Sequence, residues 1–493
     1  MNDSQAPGQP SAPVFYEGLC DPKARRFLLI SAILASSMGF IDGTVVAIAL
    51  PAIRNGLDAT LPQAQWISNA YMLTLSALLL AGGAFGDRFG LARVFAAGIV
   101  IFVLSSILCA IAITPESLIA ARAVQGIGAA LMVPGSLALI SRAYPREERG
   151  RAIGIWAAAS ALTTALGPII GGLALTYGGD AMWRLIFALN LPLGIVALWL
   201  LYKNVQSDPS SLNKGIDISG ALLATVGLGL LAYALTQAES RGLVSVAPYI
   251  AAGFVCVGLF IWVETRSPHP MMPLDLFRLP GFSAANISSF FLYFAMTAIL
   301  FFLPMTVISG WGKSEIVASA AFAPIPIFMV MLSTYVGKLA DRIGALYPIA
   351  TGSLLTAIGY AIIAATFHEQ NFWLRVLPAM ALVGIGMSLV VAPLSAAIMG
   401  VVDNDQAGAA SGVNNAISRI AGLMSVAAMG SVSAYAYGTY GGGLSFGIEA
   451  DTPGHVEAMN RAFAVVAWIC AGLAGLSCLT ALVGLPRHMI KER

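Results

Sequence analysis

Residues 27–50 read FLLISAILASSMGFIDGTVVAIAL, an apolar run long enough to cross a lipid bilayer as one helix. One carboxylate, Asp42, interrupts the run roughly 12 Å from its far end, at the 1.5 Å rise per residue of an α-helix. A charged side chain at that depth is costly and normally faces a water-filled cavity or an opposite charge. The stretch therefore predicts a membrane helix that borders a pathway for ions or small molecules.

The composition extends this prediction to the whole chain. Of the 493 residues, 58% are hydrophobic and 10% are charged, whereas soluble domains carry about 25% charged residues. A net charge of +2 without a basic block gives no reason to expect a nucleic-acid partner. Neither a metal-binding cysteine pattern nor a nucleophile–base pairing is detectable, so we expect no metal, no cofactor and no enzymatic activity.

Fourteen apolar segments are long enough to span a bilayer, and the longest connection is expected at 434–460. We therefore expect an all-α integral membrane protein with fourteen transmembrane helices. The segments begin near Phe27, Trp66, Val94, Ser117, Arg151, Trp183, Ile216, Val246, Phe282, Glu315, Leu346, Leu374, Ala407 and Ala462.

The distribution of lysine and arginine predicts the orientation. With the N-terminus in the cytoplasm, 18 of the 26 basic residues lie on the cytoplasmic side and six on the opposite side, while Arg122 and Arg419 lie inside spans. Cytoplasmic connections carry the excess of basic residues in membrane proteins. The sequence thus predicts a multi-pass protein of the cell inner (plasma) membrane with both termini in the cytoplasm.

The chain also contains an internal repeat. GAFGDRFG at 83–90 is echoed by GKLADRIG at 337–344, an offset of 254 residues. GIG at 126–128 and GRAIG at 150–154 are echoed, at an offset of 258 residues, by GIG at 384–386 and GAASG at 408–412. Such repeats predict two duplicated six-helix halves around a central site, with two helices inserted between them.

This repeat divides the chain into six parts. We expect a cytoplasmic tail at 1–26, an N-terminal six-helix half at 27–204, two inserted transmembrane helices at 205–265, a cytoplasmic linker at 266–281, a C-terminal six-helix half at 282–486 and a cytoplasmic tail at 487–493.

Arg122 is the predicted partner of Asp42. It lies about six residues into the fourth span, at nearly the depth of Asp42, and an arginine inside a membrane needs an opposite charge or water. The alternative is that its long side chain reaches the outer surface. The position equivalent to Arg122 in the second half is Met380. The chemistry is therefore expected in the first half, with Asp42 and Arg122 as coupling residues.

The two loop copies are candidates for a conformational latch. Glycine permits a tight turn between helix ends, and the acid can pair with a base or cap a helix N-terminus. A solvated loop without a specific role is the alternative. The latch residues are Gly83, Asp87, Arg88, Gly90 and Arg93 in the first copy and Gly337, Asp341, Arg342 and Gly344 in the second.

The fifth span contains a candidate hinge at Gly167, Pro168, Gly171 and Gly172. Proline removes a helix hydrogen bond, and small residues four apart let neighbouring helices touch. Close helix packing is the alternative interpretation of the same residues.

Residues 27–485 resemble the fourteen-span drug:proton antiporters of the major facilitator superfamily, the EmrB/QacA type. The segment FIDGTVVAIALP resembles the family's acid-bearing signature, although Ala47 stands where the family usually has asparagine. The loop at 83–93, Arg122 with Gly126, and the glycine–proline segment of the fifth span match three further signatures. Ala84, Leu91, Ala92 and Thr163 depart from them.

The resemblance implies the major facilitator fold and export by alternating access, with Arg122 in proton coupling. The partners expected are protons, a hydrophobic and cationic drug-like molecule, and the lipid bilayer; no periplasmic adaptor is identified. One alternative is a carrier of the same fold for a metabolite or siderophore, working as a symporter. A second is a receptor that does not transport.

Overall fold

The computed structural model describes residues 19–205, 217–268, 270–402, 406–449 and 452–486. Within these ranges sixteen α-helices form the fold. They are α1 (Arg25–Leu57), α2 (Leu61–Phe89), α3 (Leu91–Ala110), α4 (Pro115–Ala143), α5 (Arg146–Gly178), α6 (Trp183–Ala188), α7 (Asn190–Asn204), α8 (Ile218–Arg241), α9 (Leu243–Glu264), α10 (Pro280–Ser309), α11 (Glu315–Ser319), α12 (Pro324–Ile343), α13 (Leu346–Thr366), α14 (Leu377–Gly400), α15 (Ala407–Thr439) and α16 (Pro453–Gly484).

The described residues provide fourteen helical segments long and apolar enough to cross a membrane, as predicted. Helices α6 and α7 share one span, Asp180–Asn204, and α11 and α12 share another, Glu315–Ile343. Of the two predicted tails, residues 1–18 and 487–493 lie outside the described residues.

Side-chain caps begin two of the helices at one end of the bundle. The Thr60 hydroxyl accepts a hydrogen bond from the backbone N–H of Gln63, and the Gln63 side chain accepts one from the backbone N–H of Thr60. Thr114 and Ser117 form the same reciprocal pair at the start of α4. These caps satisfy N–H groups that lack a partner in the first helical turn. They allow short connections to reverse the chain.

The two loop copies share one turn geometry. Gly90 (φ 97°) ends α2 and Gly344 (φ 84°) ends α12, and each donates its backbone N–H to the carbonyl oxygen four residues earlier. Residues with a side chain rarely adopt this positive φ, whereas glycine does so readily. The sequence repeat at this offset is therefore also a structural repeat.

The helices pack as two groups around a central space. Helices α1–α7 pack among themselves, as do α10–α16, and the groups meet along α2 with α15, α1 with α10 and α5 with α11. The inserted helices α8 and α9 pack on each other, and α8 also contacts α2 and α15. The division matches the predicted order of halves and insert, while the predicted domain boundaries remain a prediction.

The connection between α15 and α16 is shorter than the expected 434–460. It covers residues 440–452, because α15 continues to Thr439 and α16 begins at Pro453. Contacts of His455 hold the two helix ends together: one ring nitrogen lies within hydrogen-bond distance of the Tyr437 hydroxyl, and the other lies 2.8 Å from the carbonyl oxygen of Ile448.

Candidate functional site

The site is built around a buried ion pair between α1 and α4. The Arg122 guanidinium donates a hydrogen bond to Oδ2 of Asp42. The Gln125 amide, one turn along α4, donates to Oδ1 at 3.1 Å. Asp42, Arg122 and Gln125 are 1%, 2% and 0% exposed. Both oxygens of the carboxylate are therefore occupied by donors from the protein itself.

Further contacts fix the guanidinium of Arg122. Its Nε donates to the carbonyl oxygen of Ile67 at 3.0 Å, and Nη1 donates to Oε1 of Gln125 at 2.7 Å. The Tyr71 ring lies 4.3 Å from the guanidinium carbon, a distance typical of a cation–π contact. Removing one partner of a buried ion pair costs about 3–5 kcal/mol, because the other charge is left uncompensated. Each of the two charges is therefore stable in the buried site only while the other is present.

A cavity of about 520 Å³ lies between the two groups of helices, and both members of the ion pair border it. Pockets for drug-sized ligands measure roughly 300–1,000 Å³. Much of the wall is apolar. This part of the wall, which we call the methionine wall, includes Met72, Met296, Met329 and Met387.

Helix α15 supplies a polar stripe to the cavity. Ser411, Asn414, Asn415, Ser418 and Arg419 all border the cavity. Their spacing of three and four residues places them on one helix face. Arg419 is half-buried and makes no hydrogen bond or ion pair with a described residue. The stripe brings a positive charge into the cavity from the second half of the chain.

One end of the bundle, which we call the Arg54 end, is closed by contacts between the halves. Arg54, at 3% exposure, donates from Nη1 to the carbonyl oxygen of Phe446 at 2.7 Å. The Thr176 hydroxyl donates to Oε2 of Glu315 at 2.9 Å. By the predicted orientation this end faces out of the cell. At the opposite end, which carries Asp87, the cavity-lining Ser395 and Ser411 are exposed, so the cavity opens there.

The predicted latch residues are dispersed. Asp87 Oδ1 lies 3.1 Å from Nη2 of Arg142, so this pair joins α2 to α4 within one half. The Arg88 guanidinium lies over the Phe89 ring, and Arg93 is exposed. In the second copy, Asp341 and Arg342 are exposed, and neither makes an ion pair with a described residue. Across the described residues, no hydrogen bond or ion pair joins the two loop copies.

The predicted hinge residues lie where helices approach closely. A Cβ atom on Gly167 would meet the Cα of Ile41 at 3.2 Å, and one on Gly172 would meet the carbonyl oxygen of Glu315 at 2.9 Å. Gly171 packs against Val45, and Pro168 is buried inside α5, which runs through it without a break. In this conformation α5 packs closely against α1 and α11. A hinge role remains a prediction.

Sequence reasoning did not assign three residues of this site. Gln125 could have been found, because it lies three residues after Arg122 and so on the same helix face. The sequence places Arg419 inside a span but gives no sign of its position in the cavity. Arg54 is one of the six basic residues predicted on the outer side, and nothing in the sequence points to its bond with a backbone carbonyl in a distant connection.

A helical membrane protein with two repeated halves, a cavity between them and a charged pair on its wall has the architecture of a secondary transporter. Residues 32–426 match the family model of the Major Facilitator Superfamily. The chain belongs to this superfamily and is a multi-pass membrane transporter of small molecules, not an enzyme.

Its curated relatives include proteins named for drug and antibiotic resistance. The chain is 33% identical over 415 residues to the multidrug resistance protein Stp of Mycobacterium tuberculosis, covering 84% of this chain and 76% of that protein. It is 33% identical over 413 residues to the methylenomycin A resistance protein of Bacillus subtilis, covering 81% and 87%. The tetracenomycin C resistance and export protein of Streptomyces glaucescens is 28% identical over 407 residues, covering 82% and 74%.

Solved transporter structures share the fold. A bacterial homologue of the human lysosomal transporter Spinster, in an inward-facing conformation, aligns with a TM-score of 0.67 over 94% of this chain and 99% of that one, at 15% identity. A D-xylose–proton symporter aligns with a TM-score of 0.65 over 94% and 98%, also at 15% identity. At this identity the likeness establishes the predicted major facilitator fold.

Proposed function

We propose that this protein is a proton-coupled antiporter that exports hydrophobic small molecules across the inner membrane by alternating access. The observation that carries the proposal is the Asp42–Arg122 ion pair on the wall of a ligand-sized cavity. The relatives named for drug resistance and export support the direction of transport.

Asp42 is the proposed proton carrier. When it is ionised, its two oxygens hold Arg122 and Gln125 in place. A proton on Asp42 removes the charge that Arg122 pairs with, so the cluster has to rearrange. Because α1 also contacts α5 and α10, the rearrangement can reach the interface between the halves. Arg122 would transmit the protonation of Asp42 to the rest of the cluster, because it loses its partner charge when Asp42 becomes neutral.

The other predicted residues have proposed roles in the conformational change. The Gly83–Arg93 loop and its second copy would stabilise one conformation, and the Gly167–Gly172 segment would let α5 move against α1 and α11. The predicted orientation is part of the same proposal. A reporter fused after Arg493 should lie in the cytoplasm, and an exterior location would contradict the topology.

Everted membrane vesicles test the coupling. Respiration acidifies the lumen of such vesicles, and an antiporter that carries substrate inwards carries protons outwards. We therefore expect a transported substrate to raise the luminal pH, whereas a symporter of a metabolite would lower it further. A fluorescent probe of luminal pH reports the direction.

Variants of the ion pair complete the test. Asp42→Asn should abolish proton-driven transport, but it leaves the charge of Arg122 buried without a partner and can destabilise the protein. The double variant Asp42→Asn with Arg122→Gln removes both charges and keeps polar contacts, so it should fold and remain uncoupled. Asp42→Glu should retain part of the activity with a shifted pH profile. Full pH-dependent transport by the folded double variant would exclude this proton carrier.

A further inference from the structure

The charges that border the cavity do not cancel. Of the described residues in its wall, three are charged: Asp42, Arg122 and Arg419. The first two neutralise each other, and both oxygens of Asp42 already accept hydrogen bonds from protein donors. Arg419 is left as a positive charge without a counter-charge among the described residues. A cationic substrate would therefore meet an occupied carboxylate and a like charge.

Arg419 lies deep within the fold. It is twelve residues beyond the start of α15, which corresponds to roughly 18 Å along the helix axis. It borders the same cavity as Tyr71, on α2, and Tyr293, on α10. A positive charge at such a depth is costly unless water or a negative group accompanies it. The arginine thus provides binding energy for an anion that enters the cavity.

The rest of the wall defines what the anion should be attached to. Asn415 and Ser418 lie beside Arg419 on the polar stripe, whereas the methionine wall consists of apolar, flexible side chains. The guanidinium presents a planar set of donors that matches a carboxylate or a similar oxyanion. The cavity therefore offers a charged, polar helix face for an acidic group, and methionine side chains from four other helices for a carbon skeleton.

We propose that the substrates are amphipathic organic anions whose acidic group binds Arg419 and whose apolar body packs on the methionine wall. This inference rests on the proposed export function and replaces the cationic substrate expected from the sequence. The proton and the acidic group use different residues, Asp42 and Arg419. The two sites can consequently be disabled separately.

A matched pair of probes tests the inference: 2-naphthalenesulfonate and 2-naphthyltrimethylammonium, which share a ring system and carry permanent charges of opposite sign. Binding to the purified full-length protein is measured at equilibrium, and transport is measured in proteoliposomes with an imposed pH gradient. We expect the sulfonate to bind and to be transported in preference to the ammonium compound. Arg419→Gln should weaken binding of the sulfonate by about tenfold or more, the loss of a charge-assisted hydrogen bond.

Two further variants separate charge from general damage. Arg419→Lys keeps the charge and should retain most of the preference for the sulfonate. Arg375→Gln removes an arginine that is paired with Glu369 away from the cavity. It should leave the binding and transport of both probes unchanged.

The outcomes distinguish the inference from the proposed function. Preference for the ammonium probe, no binding of either probe, or unchanged sulfonate binding in Arg419→Gln would each overturn the anion inference. Binding of the sulfonate that depends on Arg419, without any transport driven by the pH gradient, would uphold the inference and contradict proton coupling. Proton-driven transport of the ammonium probe would uphold proton coupling and contradict the anion inference.

Discussion

The Arg54 guanidinium donates a 2.7 Å hydrogen bond to the backbone carbonyl oxygen of Phe446, nearly four hundred residues further along the chain. Arg54 lies near the end of α1, and Phe446 lies in the connection between α15 and α16. The bond joins the first helix of one half to the last connection of the other. It closes the Arg54 end while the opposite end of the cavity stays open.

Arg54→Met should shift the protein towards a conformation open at the Arg54 end. The methionine keeps the apolar stem but loses every donor, so the contact with Phe446 is lost. In a variant that also carries Asn415→Cys, labelling by an impermeant thiol reagent from outside the cell should increase several-fold. Arg461→Met is the control, because Arg461 is exposed and pairs with Glu457. Equal labelling in both variants would contradict a closing role.

Gly172→Val should prevent the Arg54 end from closing, because the valine side chain would lie between α5 and α11. A Cβ at this position would lie 3.0 Å from the Cα of Ile316, closer than normal packing allows. We expect normal abundance with transport strongly reduced. Gly154→Val on the same helix is the matched control, since a Cβ there meets no atom within 4 Å. Transport by Gly172→Val at the level of the control would show that this contact is dispensable.

Asp87→Asn should impair transport without affecting insertion or abundance. Asp87 and its partner Arg142 are 39% and 45% exposed, and exposed pairs contribute about 0–1 kcal/mol to stability. A loss of transport would therefore report a conformational role. Asp275→Asn, which breaks an exposed pair with Arg278 outside the repeated loops, serves as the comparison. If both variants export normally, the loop is a solvated connection.

Export of an organic anion should depend on the membrane potential. Exchange of one monovalent anion for one proton moves two net positive charges inwards, whereas exchange of a monovalent cation for a proton moves none. Each charge contributes about 2.3 kcal/mol per 100 mV. In proteoliposomes with a fixed pH gradient, a potassium diffusion potential set with valinomycin should accelerate sulfonate export when the cytoplasmic side is negative. A rate of sulfonate export that does not change with the membrane potential would contradict this stoichiometry.

The sequence predicted the features that depend on local pattern. Fourteen spans followed from apolar length, and the equivalent turns at Gly90 and Gly344 followed from the repeated loop. The contact between Asp42 and Arg122 could be anticipated, because two charges at similar depth in a membrane need each other.

The features that depend on distant packing could not be predicted. Arg54 donates to a backbone carbonyl oxygen. Every residue has such a carbonyl, so the sequence does not indicate which one Arg54 binds. That Arg419 has no ion pair with any residue the structure describes was equally hidden, because this finding requires the position of every possible partner. Gln125 is neutral and lies in an apolar helix, where one amide gives no periodic signal.

The methionine wall bears on how broad the range of transported compounds is. An unbranched thioether side chain has several rotatable bonds and a polarisable sulfur, so it adapts its shape to different neighbours. The methionine wall can therefore pack against carbon skeletons of different shape. Arg419, by contrast, always requires an acidic group. We expect the compounds that this transporter carries to be unrelated in ring structure and alike in acidity.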